Sequence, residues 1–196
     1  PNRTRHHRLS GRRRSSPMSA TAAELHLLGQ LTGASDFPLS TLFCKFAIEA
    51  GSNFRLLQGV IQGQTQCDQP NEEEMAVWAH PIDVHYTLKG IEGWPRLKLE
   101  VWGVDSFGRN ELVGYGVCML PTSPGVHELR CTTWRPCGSM REQLSTFFLG
   151  GVPTLKHKEV IASPTDRFRL QTEPSGEVHI RLGVLTKDFA RYGVSS

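Results

Sequence analysis

The chain predicts an all-β fold, an antiparallel sandwich of seven or eight strands with one short helix. Three observations carry that prediction. Ile82, Val84, Tyr86 and Leu88 alternate without fault with Asp83, His85, Thr87 and Lys89, the period of two that buries one strand face and wets the other. Val178, Ile180, Leu182 and Val184 repeat the pattern against His179, Arg181 and Gly183. Residues 93–116 read as strand, turn, strand. Leu97, Leu99 and Val101 alternate with Arg96, Lys98 and Glu100, the stretch 105–110 supplies turn formers, and Val113, Tyr115, Val117 and Met119 are expected to resume the apolar face. Short alternating strands separated by Gly, Pro, Asn and Ser turns indicate antiparallel pairing rather than parallel crossovers.

The other elements follow in chain order. Leu25, Leu27 and Leu31 mark a first strand, and Leu42, Cys44, Phe46 and Ile48 a second. A third covers residues 54–57 and is expected to pair with its neighbour through Gly51-Ser-Asn53. Another surrounds residues 127–133, and Phe168 and Leu170 mark a short strand near the C-terminus. One helix is predicted over residues 139–149. Ser139 and Glu142 form a capping box, Met140, Leu144, Phe147 and Phe148 fall on one stripe, and Gly150, Gly151 and Pro153 end it.

A length of 196 residues suits one domain with a substantial core, and 38% hydrophobic with 21% charged residues are globular values. The charge is unevenly placed. Residues 1–17 hold six arginines and no acid, leaving sixteen basic against nineteen acidic residues in the rest. The sequence pI near 8.8 therefore belongs to the tail, and the folded part is mildly acidic, which argues against a nucleic-acid binder. Residues 1–22 are expected to be a disordered basic tail and 23–193 the folded domain. Met18-Ser-Ala reads as a natural start, and the tail has no apolar core of the secretory-signal kind. Five widely spaced cysteines fit reduced thiols in the cytoplasm, with Cys44 on the apolar phase of its strand as a small core residue.

Candidate sites are few. Val101-Trp-Gly-Val-Asp105 followed by Asn110-Glu-Leu-Val-Gly114 resembles the loop with which calcium- and lipid-binding C2 sandwiches hold their metal. Calcium requires six to eight oxygen ligands. Here Gly103 stands where a first aspartate is expected, and Asn110-Glu111 replaces a later acidic pair. Asp36, Asp105 and Glu111 read as remnants of that site, so neither a metal nor any cofactor is expected. No Gly-x-Ser-x-Gly, His-Glu-x-x-His or phosphate-loop motif occurs. Asp83 and His85 share one strand face without a nucleophile paired to them in sequence. Trp102 is different: it falls on the phase of Arg96, Lys98 and Glu100, out of step with the apolar side. An outward aromatic beside Arg96 and Lys98 is the composition of a protein-binding hot spot, and these three are the candidate partner-binding residues.

The motifs Gly63-Gln-Thr-Gln66, Trp78-x-His-Pro-Ile-Asp83, Lys89-Gly-x-x-Gly-Trp-Pro-Arg96, Asp105-Ser-Phe-Gly-Arg109, Gly114-Tyr-Gly116, Thr133-Trp-Arg-Pro136 and Arg191-Tyr-Gly193 resemble, in order, those of the B9 domain family. The resemblance runs from about Glu24 to Gly193 and leaves the tail outside. It implies a C2-like sandwich without catalytic residues, in a scaffold subunit of the Meckel-type, tectonic-like complex at the ciliary transition zone. There it would serve ciliogenesis and the diffusion barrier. The implied partners are other B9 domain proteins, in a hetero-oligomer close to the membrane and without nucleic acid. A peripheral lipid-binding domain at the ciliary base is the alternative reading.

Overall fold

The computed structural model describes residues 22–71, 75–136 and 172–192. The described residues form nine strands: β1 (Ala23–Ser35), β2 (Leu42–Glu49), β3 (Phe54–Gly59), β4 (Gln62–Gln64), β5 (Ala76–Leu88), β6 (Arg96–Val104), β7 (Asn110–Met119), β8 (Gly125–Pro136) and β9 (Thr172–Lys187). All pairings are antiparallel, in the order β3-β5-β1-β9-β8-β7-β6-β2-β4. The predicted helix over residues 139–149 and the strand at Phe168 and Leu170 lie outside the described residues.

The hydrogen-bonded sheet curls back on itself to make the two layers of a C2-like sandwich. Leu25, Leu27, Val84, Ile180 and Leu182 from β1, β5 and β9 share one buried cluster with Cys44, Phe46, Leu97, Leu99 and Val101 from β2 and β6. These are the apolar phases of the alternating runs, and their burial is the principal driving force for the fold. Phe54, Trp94 and Phe189 close one end through edge-on ring contacts, Phe189 coming from a single 3-10 turn over Phe189–Tyr192. Trp78 is fully buried and donates its indole N–H to Leu42 O at 3.1 Å. Cys44, Cys118 and Cys131 are buried free thiols, and burial pushes the Cys44 thiol up from its ordinary value.

Two corrections concern the ends of the order. β3 does not pair back onto β2 through residues 51–53. Gly51 packs against Gly93 and donates to its carbonyl at 2.7 Å, and the chain leaves this corner to pair with β5 from Leu88 to Val84. After only Val60 and Ile61 it returns as β4 to pair with Lys45–Ala47 of β2, so the two terminal strands of the sheet are consecutive in the chain. β4 has no apolar alternation, which is why the sequence gives no sign of it.

A third correction concerns β7. Its inward face is not Val113, Tyr115, Val117 and Met119 throughout, and Met119 is exposed. Register with β6 places Gly114, Gly116 and Cys118 opposite the core residues Val101, Leu99 and Leu97, so Tyr115 and Val117 point outward. A shift between Val101 and Trp102 then returns Val113 to the core. The reason is a close crossing: β7 meets β8 at one residue pair, Tyr115 with Trp134. A methyl group on Gly114 would sit 2.6 Å from Thr133 Oγ1, and one on Gly116 2.9 Å from Cys131 Sγ. Thr133 is buried and donates to Gly176 O at 2.7 Å, while Ser175 donates to Val113 O at 2.6 Å. Overpacking such a site costs about 1–3 kcal/mol. Gly114→Ala should therefore lower unfolding free energy by about 1–3 kcal/mol in a urea titration, and an unchanged midpoint would show that the crossing tolerates a side chain.

Candidate functional site

At the end of the sandwich where a C2 domain holds calcium, apolar side chains take the space. Phe37 and Leu39, in the segment between β1 and β2, pack on glycines. A methyl group on Gly103 would lie 2.5 Å from Leu39 Cδ1, and one on Gly176 2.4 Å from Phe37 Cδ2. The missing carboxylate at Gly103 is thus a position filled from across the end by leucine. Asp36 has φ 63° and accepts a hydrogen bond from Ser35 Oγ at 2.9 Å. Asp105 folds its own turn: Oδ1 accepts the N–H groups of Phe107 and Arg109, both at 2.8 Å, and Oδ2 accepts Arg109 Nε at 2.7 Å. Glu111 sits opposite Gly103 in the β6–β7 register. Among the described residues, no three His, Cys, Asp or Glu side chains are grouped to hold a metal ion.

The Arg109 N–H, followed by the Arg109 guanidinium and the Phe107 N–H, holds the Asp105 carboxyl below its ordinary value against the opposing effect of desolvation. Its folded pKa is below its unfolded one. The contribution to turn stability is therefore present above the ordinary value of about 3.9 and is lost as pH falls through the folded pKa. Carboxyl NMR titration should place the Asp105 midpoint below that of an unstructured aspartate, and Arg109→Ala should raise it. Millimolar calcium should leave the melting temperature unchanged. A calcium-dependent rise that Asp105→Ala abolishes would show that the remnants still bind.

The partner-binding candidates share one face, the outer face of β2, β6 and β7, with Trp102 at one end of β6 and Arg96 at the other. Cross-strand register sets three rows there: Phe43, Trp102 and Leu112; Lys45, Glu100 and Tyr115; Ala47, Lys98 and Val117. Trp102 keeps the outward phase read from sequence, yet its ring is half-covered. Phe43 lies nearly parallel at 6.3 Å between centroids, and Lys45 Nζ stands 4.7 Å from the indole centroid. Leu112, Tyr115 and Trp134 form a buried cluster beside it, Tyr115 only 1% exposed. The Trp102 indole N–H is buried without a hydrogen-bond partner among the described residues. One strand-length away, Glu49 takes Arg96 Nη2 at 3.2 Å and Lys98 Nζ at 2.5 Å. Phe43 carried a signal of its own: it is an aromatic on the polar phase of β2, as Trp102 is on β6. Tyr115 and Trp134 had none, because their outward direction follows from the glycines and the crossing.

Asp83 and His85 do not work as a pair. Asp83 bonds to His26 Nε2 at 2.8 Å, and His85 bonds to Glu24 at 3.2 Å, with the two imidazoles stacked at 4.9 Å on the open face of β1 and β5. Lys187 also reaches Glu24, at 3.0 Å, and holds that carboxyl low. These contacts make a surface hydrogen-bond ladder across β5, β1 and β9.

The family model B9-C2, described as a ciliary basal body-associated B9 protein, matches residues 25–185. B9 domain-containing protein 2 of Homo sapiens is 54% identical over 172 residues, covering 88% of this chain and 98% of that protein. Its Drosophila melanogaster counterpart is 35% identical over 173 residues, with the same two coverages. B9 domain-containing protein 1 of Xenopus laevis is 26% identical over 175 residues, 88% of each chain. The chain belongs to the B9-C2 family of ciliary basal body-associated proteins.

Proposed function

We propose that this chain is a non-enzymatic scaffold subunit of the tectonic-like, Meckel-type complex at the ciliary transition zone. It acts on the cytoplasmic side, assembled with other B9 domain proteins and needed for ciliogenesis and the diffusion barrier. The family match over nearly the whole folded chain supports the place. The observation that supports docking is the outer face of β6, where Trp102 lies against Phe43 and Lys45 at one end and Glu49, Arg96 and Lys98 form an ion cluster at the other. Trp and Arg dominate protein hot spots because one side chain offers a large rigid surface and the other a planar donor fork. A partner that replaces Lys45 over the indole covers a ring already half-desolvated.

Co-expression with two B9 partners followed by size-exclusion chromatography tests the reading, and a chain that elutes alone in every combination would refute it. Trp102→Ala should weaken the complex by about 2–4 kcal/mol, one to three decades in affinity. Because Trp102 also packs on Phe43, circular dichroism and a thermal melt accompany the variant. Normal binding by a folded Trp102→Ala would move the docking surface elsewhere, and unfolding would make Trp102 a packing residue.

A lipid-binding reading has one observation in its favour. Phe107, at the tip of the turn built by Asp105, is 81% exposed, with the Arg109 guanidinium 5.3 Å from its ring centroid. An apolar tip beside a cation suits an anionic membrane surface. Sedimentation with phosphatidylserine vesicles that Phe107→Ala abolishes would favour this reading, and absence of the chain from the vesicle pellet would dismiss it.

A further inference from the structure

We propose that residues 55–64, the strand that crosses from β3 to β4, form a docking edge that accepts an extended, uncharged strand from a B9 partner. The partner's identity rests on the scaffold reading above. The surface itself rests on separate observations.

β3 and β4 are the two terminal strands of the sheet, each hydrogen-bonded to a neighbour on one side only. A terminal strand presents main-chain N–H and C=O groups that another strand can pair with, and proteins commonly protect such edges with lysine, proline or inward charges. Past Arg55 no lysine, proline or inward charge protects this one; the short length of β4 and the register shift between Leu56 and Gln58 are the protections it has. From Leu56 to Cys67 the chain runs twelve residues without a charge or a proline. Four of the eleven exposed large apolar side chains among the described residues fall within 56–61: Leu56, Leu57, Val60 and Ile61, with Leu57 50% and Val60 68% exposed. A register shift at Leu57 and the positive φ of Gly59 fit the strand tightly to β5, where a methyl group on Gly59 would strike Asp83 O at 2.1 Å. They anchor its inner side and leave the outer side open.

The occupant follows from chemistry and area. Unpaired main-chain groups call for a strand, and the uncharged run favours uncharged, apolar side chains opposite it. Ten edge residues fall well short of the roughly 20–30 per side of a stable interface, so the edge by itself would not hold a second copy. It suits a partner already engaged nearby. A groove of about 580 Å³ leads from Gln62 and Gln64 across Ala47 to Lys45, Lys98 and Glu100, joining this edge to the β6 face that carries Trp102. A B9 partner seated on that face is therefore within reach of the edge.

The test uses the full chain with B9 domain-containing protein 1, by co-expression and by titration of the purified proteins. Leu57→Lys/Val60→Lys should bind at least about tenfold more weakly, while Leu57→Thr/Val60→Thr, which keeps an uncharged strand former, should bind within about threefold of the parent. Both sites are exposed, so melting temperatures should stay within about 3 °C of the parent. Val60→Lys alone, at the more exposed position, should weaken binding in the same direction. A parent chain that fails to bind overturns the scaffold reading and this inference together. Normal binding by the lysine variant overturns the edge alone. Equal loss in the threonine variant shows side-chain rather than strand recognition and overturns it too. So does a parent chain that is dimeric by light scattering and becomes monomeric with the lysines, since the occupant is then a second copy.

Discussion

The close crossing of β7 over β8 is the constraint on which the remaining architecture depends. Two halves of one sheet can enclose a core only if the sheet folds sharply somewhere, and here the ladder narrows to the single pair Tyr115 and Trp134. Gly114 and Gly116 allow the approach because Thr133 and Cys131 occupy the space their side chains would need. With glycine on its inward side, β7 carries its large residues outward. Tyr115 then meets Trp134 at 5.5 Å, and this pair with Leu112 forms the apolar bed beside Trp102. The same glycines that close the core thus create the outer aromatic face, linking a packing requirement directly to the candidate docking surface.

The end that resembles a calcium site follows the same logic of small residues receiving large ones. Leu39 on Gly103 and Phe37 on Gly114 and Gly176 bring apolar surface to a place where a metal domain gathers charge. Asp105 remains, but as the organiser of its own turn, with both oxygens already accepting hydrogen bonds. A carboxylate satisfied by two amides and a guanidinium has few lone pairs left for a cation. The C2-like frame is retained, and apolar packing holds this end together.

Two kinds of surface remain outside the core. Parts of the outer faces carry paired charges, such as Glu24 with Lys187 and Glu49 between Arg96 and Lys98. Exposed pairs of this kind contribute little stability, so their effect is on solubility and on which partners approach. The crossing strand carries no charge from Leu56 to Gln64 and exposes Leu56, Leu57, Val60 and Ile61. Its neighbour β5 carries Pro81 where β3 has already ended, so the missing N–H falls on a stretch flanked by β1 alone.

The sequence by itself determined the class of fold, the long strands and the family. The alternation in β1, β2, β5, β6 and β9 reports burial directly, because a side chain's face in a strand is fixed by parity. It also placed Trp102, Arg96 and Lys98 on one outward face, since all three share that parity on β6. It did not reveal that Tyr115 and Val117 point outward, that β3 leaves β2 to join β5, or that residues 62–64 pair at all. Parity says nothing about which face of a strand is inside when glycine occupies one of them, and periodicity says nothing about which strand lies alongside. Those choices were made by non-local contacts: Thr133 and Cys131 against glycine, Gly51 against Gly93, and Leu39 over Gly103, each joining residues far apart in the chain. Tertiary structure alone decided them, because each depends on a distance between elements that no single segment encodes.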